Sequence, residues 1–446
     1  MSREQDTIAA IATPPGEGGI GIIRVSGPRA EEILTGLFFP AGTGAHAWES
    51  HRMVYGTLRD GDTVLDEGMA VLMRSPRSYT REDTAELQLH GGDYVLRQAL
   101  SLCLRRGARL AEPGEFTRRA FLNGRIDLSR AEAVMSLIAA RGAQAHQAAV
   151  RELRGGVTAF VREAADRLYE IQAGLAACVD YPEEISEEEG AAEMIPRLES
   201  LIRFLRESME ERGSRLLRQG LRVTLAGRPN VGKSSLLNGL LGEDKAIVTS
   251  VAGTTRDLVT GEMTLNGVRV ILTDTAGLRE TGDEVERIGV ERTRKAMAEA
   301  DVTLLVLDGS EPMRAEDREL LETVTGEGAI LVNKRDLPRR LDMPETDRPV
   351  IPCSAREPES LRAVKDYLLR FTAVSDRMAV TQPRHLDALN RAAAFLESAL
   401  ETVKTMTPDM AATDLMSAQS ALGEITGDQV DETLLDRVFA QFCVGK

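Results

Sequence analysis

The chain has 446 residues, 70 acidic against 55 basic, and a formal charge of −15, so it is long enough for about three domains and too acidic for broad nonspecific binding to phosphate backbones. Any RNA substrate needs a local basic patch or a partner's help. Cys103, Cys178, Cys353 and Cys443 are widely separated with no CxxC pair, which supports neither a disulfide framework nor a zinc ribbon; Met1 to Asp6 open no signal peptide and no apolar run approaches the ~18 residues of a membrane span, so a soluble cytoplasmic protein is expected.

Residues 1–118 mix short β-rich runs (Ile20 to Val25, Met69 to Met73, Ala85 to Leu89) with glycine turns and a helix near Tyr94 to Arg106. That pattern reads as a compact α+β domain. After Asp127, Ser129 with Glu132 three residues later gives a capping-box signature, and helical periodicity runs with few breaks to about Ala177. The acidic stretch Pro182 to Glu189 reads as a solvated loop before another helix, roughly Met194 to Arg215. Residues 217–373 then alternate strand and helix, with an Asn266-Gly267 hairpin between Glu262 to Leu265 and Val268 to Thr273 that places one antiparallel edge on an otherwise parallel sheet. Beyond Thr381 the chain is helical again. Residues 119–216 and 374–446 therefore form the two parts of a discontinuous helical domain, each needing the other to bury its apolar face, with a Ras-like phosphate-loop domain inserted between them. The fold class is multidomain, α+β and α/β.

Gly227 to Ser235 read GRPNVGKSS, a complete GxxxxGK[ST] loop behind the apolar strand Val223 to Ala226. Its glycines let backbone N–H groups along Asn230, Val231, Gly232, Lys233, Ser234 and Ser235 cradle a β-phosphate, Lys233 reaches the β and γ oxygens, and the Ser234 hydroxyl ligates Mg²⁺. Asp274-Thr275-Ala276-Gly277 ends a second apolar strand, where the carboxylate holds Mg²⁺ through water and the Gly277 N–H senses the γ-phosphate. Asn333-Lys334-Arg335-Asp336 follows the apolar run Ala329 to Val332. The Asp336 carboxylate can accept both hydrogens of the guanine N1–H and 2-amino edge, which adenine lacks. Ser354-Ala355 would offer backbone N–H to guanine O6. GTP is the expected nucleotide.

This order of motifs, with Thr255 in place to complete Mg²⁺ coordination, resembles the translation-factor-related GTPases. Leu278 stands where Ras-like enzymes carry the glutamine that orients the attacking water. A replacement is suggested by Asn230 and by Thr249-Ser250-Val251-Ala252-Gly253-Thr254-Thr255: oxygens of Asn230, Thr249, Val251 and Thr254 would cage K⁺ where an arginine finger acts. The alternative is that Asn230 serves only the geometry of the loop.

Outside that domain the likeness narrows. Asp6 to Gly16, Gly18 to Gly27, Glu86-Leu87-Gln88-Leu89-His90-Gly91-Gly92, Glu112 to Thr117, Arg119 to Arg125 and the C-terminal Phe442-Cys443-Val444-Gly445-Lys446 resemble the MnmE (TrmE) family of tRNA uridine-modification GTPases across essentially the whole chain. The resemblance implies a homodimer whose N-terminal folate-binding-like domain, residues 1–118, holds a tetrahydrofolate in its 5-formyl or 5,10-methylene form. It also implies work with MnmG (GidA), which brings FAD and NADH, in a heterotetramer or larger complex that acts on C5 of the wobble uridine of certain tRNAs. By matched position the folate contacts are Arg24, Glu86, Arg125 and Lys446; the family often has lysine at Arg125, and a guanidinium changes the donor geometry. Without the resemblance, Arg24 reads equally as a surface or dimer-interface ion pair. The family links Cys443 to the modification chemistry, whereas its neighbour Phe442 suggests a buried, inert thiol. Glu286 matches the family's candidate for orienting water; on spacing alone it is an ordinary switch II charge. Two rival classes are a GTPase that acts only as an assembly factor and a folate-binding scaffold with a degenerate nucleotide site. The first lacks an appended RNA-binding fold, and an intact set of Lys233, Ser234, Thr255, Asp274 and Asp336 argues against the second.

Overall fold

A computed structural model describes residues 6–42, 48–242, 259–275, 295–375 and 380–446. In chain order it forms β1 (Ile8–Ile11), β2 (Gly18–Ser26), α1 (Ala30–Leu37), β3 (Phe38–Pro40), β4 (Val54–Asp60), β5 (Thr63–Met73), β6 (Thr84–Gly91), α2 (Asp93–Arg105), β7 (Arg109–Leu110) and α3 (Glu115–Leu122). Helices α4 (Leu128–Ala139), α5 (Ala143–Leu153), α6 (Gly156–Asp180), α7 (Glu187–Ser208) and α8 (Glu211–Gln219) follow. Next come β8 (Leu221–Ala226), α9 (Lys233–Gly242), β9 (Val259–Leu265), β10 (Val268–Asp274), β11 (Val302–Asp308), α10 (Ala315–Thr323), β12 (Gly328–Asn333), β13 (Val350–Pro352) and α11 (Pro358–Leu369). The chain closes with α12 (Pro383–Thr405), α13 (Ala412–Thr426) and α14 (Glu432–Phe439). Two compact units result: Met1–Met135 with Glu152–Leu198 and Ala394–Lys446, and Ser136–Arg151 with Glu199–Ala393. No described helix is long and apolar enough to cross a membrane.

In the first unit the sheet order is β3-β4-β5-β6-β2-β1-β7, antiparallel except for β1 beside β7. Side chains alternate across it, so Ile23, Val25, Ala85 and Leu87 face one way and pack with Ile33 and Leu34 of α1 and Leu96, Ala99 and Leu102 of α2. Each buried leucine or isoleucine there stabilises the fold by roughly 1.5–3 kcal/mol. The register has a functional consequence: it sets Arg24 of β2 directly opposite Glu86 of β6.

In the second unit the order is β13-β12-β11-β8-β10-β9. Strands β8, β11 and β12 are parallel neighbours and are apolar almost throughout, as strands covered on both faces must be. Only β9 runs antiparallel, joined to β10 through Asn266 at φ +50° and Gly267 at φ +73°. Two consecutive positive φ values define the tight hairpin turn that the Asn-Gly pair predicts.

The helical segments differ from the periodicity in two respects. Asp127, not Ser129, caps α4: its carboxylate accepts from the Arg130 N–H at 2.9 Å and from the Ser129 hydroxyl at 2.6 Å. A capping box does exist at Ser186 and Glu189, where each side chain accepts from the other's backbone N–H at 3.2 and 3.1 Å. It starts α7 inside the acidic stretch expected to be a loop. Gly142 at φ +132° and Gly155 at φ +91° separate α4, α5 and α6, because a left-handed residue cannot continue a helix.

Candidate functional site

The phosphate loop leaves β8 at Ala226 and enters α9 at Lys233, so the loop N–H groups and the helix N-terminus face the same space. Gly227 at φ +149° and Gly232 at φ +98° make the turn, and a Cβ on Gly227 would lie 2.4 Å from the Val306 carbonyl oxygen. Asn230 sits exposed at φ +66°. Lys233 is 3 % exposed, and its ammonium donates to the carbonyls of Gly227 and Arg228 at 2.6 and 2.7 Å. Burial pulls it down to about 8, an effect that Asp274 opposes and the like charge of Arg228 reinforces.

This sets a pH dependence. The unfolded chain keeps the Lys233 proton up to about pH 10.5 while the folded, nucleotide-free protein releases it near 8, so the group's contribution to stability is lowest below pH 8 and rises from there to about 10.5. Lys233→Met is expected to stabilise the nucleotide-free protein at pH 7 by ~1–3 kcal/mol and to remove that rise. Urea unfolding at pH 7 and pH 10 measures both; an equal rise in the two proteins rejects Lys233 as its source.

Two of the three Mg²⁺ candidates, Ser234 and Asp274, meet. The Ser234 hydroxyl donates to Asp274 Oδ2 at 2.6 Å, and Asp274 is fully buried at the end of β10. A hydroxyl and a carboxylate are the hard oxygen donors that Mg²⁺ takes, so the pair fits that ion. Thr275 follows, tied by its N–H and hydroxyl to the Leu225 carbonyl at 3.4 and 3.1 Å. Thr249, Ser250, Val251, Ala252, Gly253, Thr254, Thr255, Ala276, Gly277, Leu278 and Glu286 lie outside the described residues.

At the base end, Asn333 is the hinge pin. Its amide donates to the Val231 carbonyl at 2.8 Å and its Oδ1 accepts from the Ala355 N–H at 3.3 Å, so one side chain ties the phosphate loop to the loop that carries Ser354 and Ala355. The Ser354 hydroxyl donates to Asp336 Oδ1 at 2.6 Å and holds that carboxyl below the usual carboxylate range. The Ser354 N–H is not free for guanine O6, since it donates to Ser360 Oγ at 2.8 Å, and the Ala355 N–H donates to Asn333 Oδ1 at the longer distance of 3.3 Å. Lys334, at φ +62°, is pinned to Asp308 at 2.5 Å. Sequence reasoning also missed Arg228, whose Nε reaches Asp317 Oδ1 at 2.7 Å within a buried pair. Asp317 in turn accepts from the Arg314 N–H at 3.0 Å and starts α10.

The first unit holds the second set. Arg24 Nε donates to Glu86 Oε1 at 2.9 Å and Arg24 Nη1 to the Gly445 carbonyl at 3.2 Å, so residues 421 positions apart in the chain meet on β2. The ion pair of Arg24 is therefore intramolecular and partly buried, not a surface pair. Its guanidinium lies 5.7 Å from the Phe116 ring centre and 5.8 Å from that of Tyr79, and the Arg125 guanidinium lies over the same Tyr79 ring at 4.7 Å. Gly445 is required where it sits: at φ +93°, a Cβ would come within 2.4 Å of the Ile11 carbonyl oxygen. The Cys443 carbonyl accepts from the Gly114 N–H at 3.3 Å, while the Cys443 side chain is exposed, which sets aside the reading of a buried thiol. Lys446 is half-buried at the chain end. A carboxylate with one oxygen unpaired among the described residues, held by an arginine that lies near two aromatic rings, fits a planar heterocycle bearing N–H donors, as a pterin is.

Among known families, a model described as the MnmE helical domain matches residues 128–443, and one described as the GTP-binding protein TrmE N-terminus matches residues 7–125. A protein of Heliobacterium modesticaldum named tRNA modification GTPase MnmE is 46 % identical over 463 aligned positions, covering 99 % of both chains. The Bacillus subtilis protein of the same name is 43 % identical, covering 99 % of this chain and 100 % of its own. Among solved structures, the G domain of the T. maritima FeoB iron transporter is 26 % identical over 34 % of this chain and 99 % of its own, with a TM-score of 0.28.

Proposed function

This chain belongs to the MnmE (TrmE) family of tRNA modification GTPases and is a GTP hydrolase, and we propose that with MnmG (GidA) it modifies C5 of uridine 34 in certain tRNAs. The reaction adds an aminomethyl or carboxymethylaminomethyl group in the cytoplasm. The protein acts as a homodimer, GTP hydrolysis is activated by K⁺, and hydrolysis drives association of the GTPase domains. FAD and NADH enter through the partner. A bound tetrahydrofolate supplies the one-carbon unit.

The residues of this chain do the following. Lys233 swings from the loop carbonyls to the β and γ oxygens of GTP, Ser234 and Asp274 hold Mg²⁺ with Thr255, and Asn333 keeps phosphate and base ends in register. Asp336, aligned by Ser354, reads guanine. Arg24 orients Glu86, which reads the pterin N–H donors, while Arg125 and Lys446 supply positive charge. Cys443, whose side chain is exposed, would add as a thiolate to a uracil ring, and Glu286 would align the attacking water.

The observation that carries this reading is the junction of Arg24, Glu86 and Gly445. Removing Val444 to Lys446 takes away the carbonyl that steadies Arg24 and the Lys446 charge together. The truncated protein is expected to bind 5-formyltetrahydrofolate at least tenfold more weakly by calorimetry, the loss of about 1.4 kcal/mol that one charge-assisted contact represents. Its GTP affinity serves as the internal control. In a strain carrying only the truncated protein, nucleoside analysis should show tRNA lacking the wobble modification. Full modification together with unchanged folate affinity would reject the site.

A further inference from the structure

Arg81 stands out in the loop between β5 and β6. It adopts φ +60°, a region disfavoured for any residue with a Cβ and open to glycine. Its guanidinium Nη1 donates to the Asn123 carbonyl at 2.9 Å, and its own carbonyl accepts from the Ser75 hydroxyl at 2.8 Å. Two more bonds lace the same segments: Asn123 Nδ2 to the Thr80 carbonyl at 2.7 Å, and Arg125 Nη1 to the Tyr79 carbonyl at 2.8 Å. Arg81 and Arg125 consequently share one rim. Neither has a carboxylate partner among the described residues, whereas Arg24, Arg74, Arg109 and Arg119 in the same unit are all paired. Arg81 and Arg125 are thus two exposed guanidiniums without a carboxylate partner among the described residues, each anchored on a backbone carbonyl of the same two segments.

The rim continues the Arg24–Glu86 site. Tyr79 lies between them, within 6 Å of both the Arg24 and the Arg125 guanidinium. Exposure rises along that line, from the partly buried Arg24–Glu86 pair to the open Arg125 and Arg81. A folate has matching polarity, with a neutral planar pterin at one end and glutamate carboxylates at the other, and each γ-linked glutamate adds one net negative charge.

We propose that Arg81, with Arg125, is a subsite for the γ-glutamyl tail, so that this protein selects polyglutamylated tetrahydrofolate over the monoglutamate. The inference rests on the folate reading of the Arg24–Glu86 site. The pterin end sets orientation; the guanidiniums set the preference for tail length.

The test is calorimetry of the full chain with 5-formyltetrahydrofolate and its tri-γ-glutamate at low and high salt. The wild type is expected to bind the triglutamate about fivefold more tightly, the scale of one exposed guanidinium–carboxylate contact, with the margin shrinking as salt screens it. Arg81→Gly removes the guanidinium while keeping a residue suited to φ +60°, so the fold survives, and the ratio should fall to about one. Arg81→Lys should keep part of it. A structural role alone would lower the melting temperature without moving the ratio. Equal wild-type affinities for the two forms overturn the tail subsite and leave the folate site standing, and a preference that persists in Arg81→Gly removes Arg81 from it. Failure of the wild type to bind either form overturns the folate reading, and this inference with it.

Discussion

Asp336→Asn is expected to lose GTP by roughly 10³-fold or more and to gain xanthosine triphosphate. The structure says how. The Ser354 hydroxyl donates to Asp336 Oδ1 at 2.6 Å, and an asparagine there would turn its own oxygen to that donor, leaving the amide N–H₂ directed at the base. Guanine presents a 2-amino donor and would meet a donor. Xanthine presents a 2-keto oxygen and would meet its complement. The exchange is nearly isosteric, so the loop held by Asn333 and Ser360 should keep its shape. Titrating the variant with both nucleotides reads the switch; GTP affinity within a few-fold of the wild type would place the guanine edge elsewhere.

Much of that site was legible in the sequence, because its parts are local: a loop, a strand end and a four-residue turn, each behind an apolar run that reads as a covered strand. The Asn266-Gly267 turn was equally legible, since two positive φ values in succession demand that pair. What the sequence hid is non-local. The register that sets Arg24 against Glu86 depends on β2 pairing with β6 across the intervening strands, and no periodicity encodes a strand order. Ser360 taking the Ser354 N–H and Arg228 pairing with Asp317 are likewise consequences of packing. The cap at Asp127 was missed for a different reason. Asp127, Ser129 and Glu132 offer competing caps, and a hydroxyl two residues on can bond the carboxylate instead of the backbone.

Potassium should stimulate GTP turnover by roughly 10³-fold over sodium at matched ionic strength, the scale of an arginine finger. Leu278 cannot orient water, and the oxygens of Asn230, Thr249, Val251 and Thr254 are the candidates to hold the ion against the β and γ phosphates. Of these Asn230 is within the described structure, and its φ of +66° sharpens the experiment. Asparagine tolerates the left-handed region better than most residues, so its presence has a purely conformational explanation. Asn230→Ala removes the amide but also strains the backbone; Asn230→Gly removes the amide and relaxes it. If the amide oxygen binds the ion, both variants lose the potassium response while nucleotide affinity holds, because the cradle and Lys233 remain. If the residue serves only the turn, Asn230→Gly keeps the full response and only Asn230→Ala is impaired. The glycine variant therefore decides between ion ligand and loop geometry, and equal wild-type rates in potassium and sodium chloride would remove the ion from the mechanism altogether.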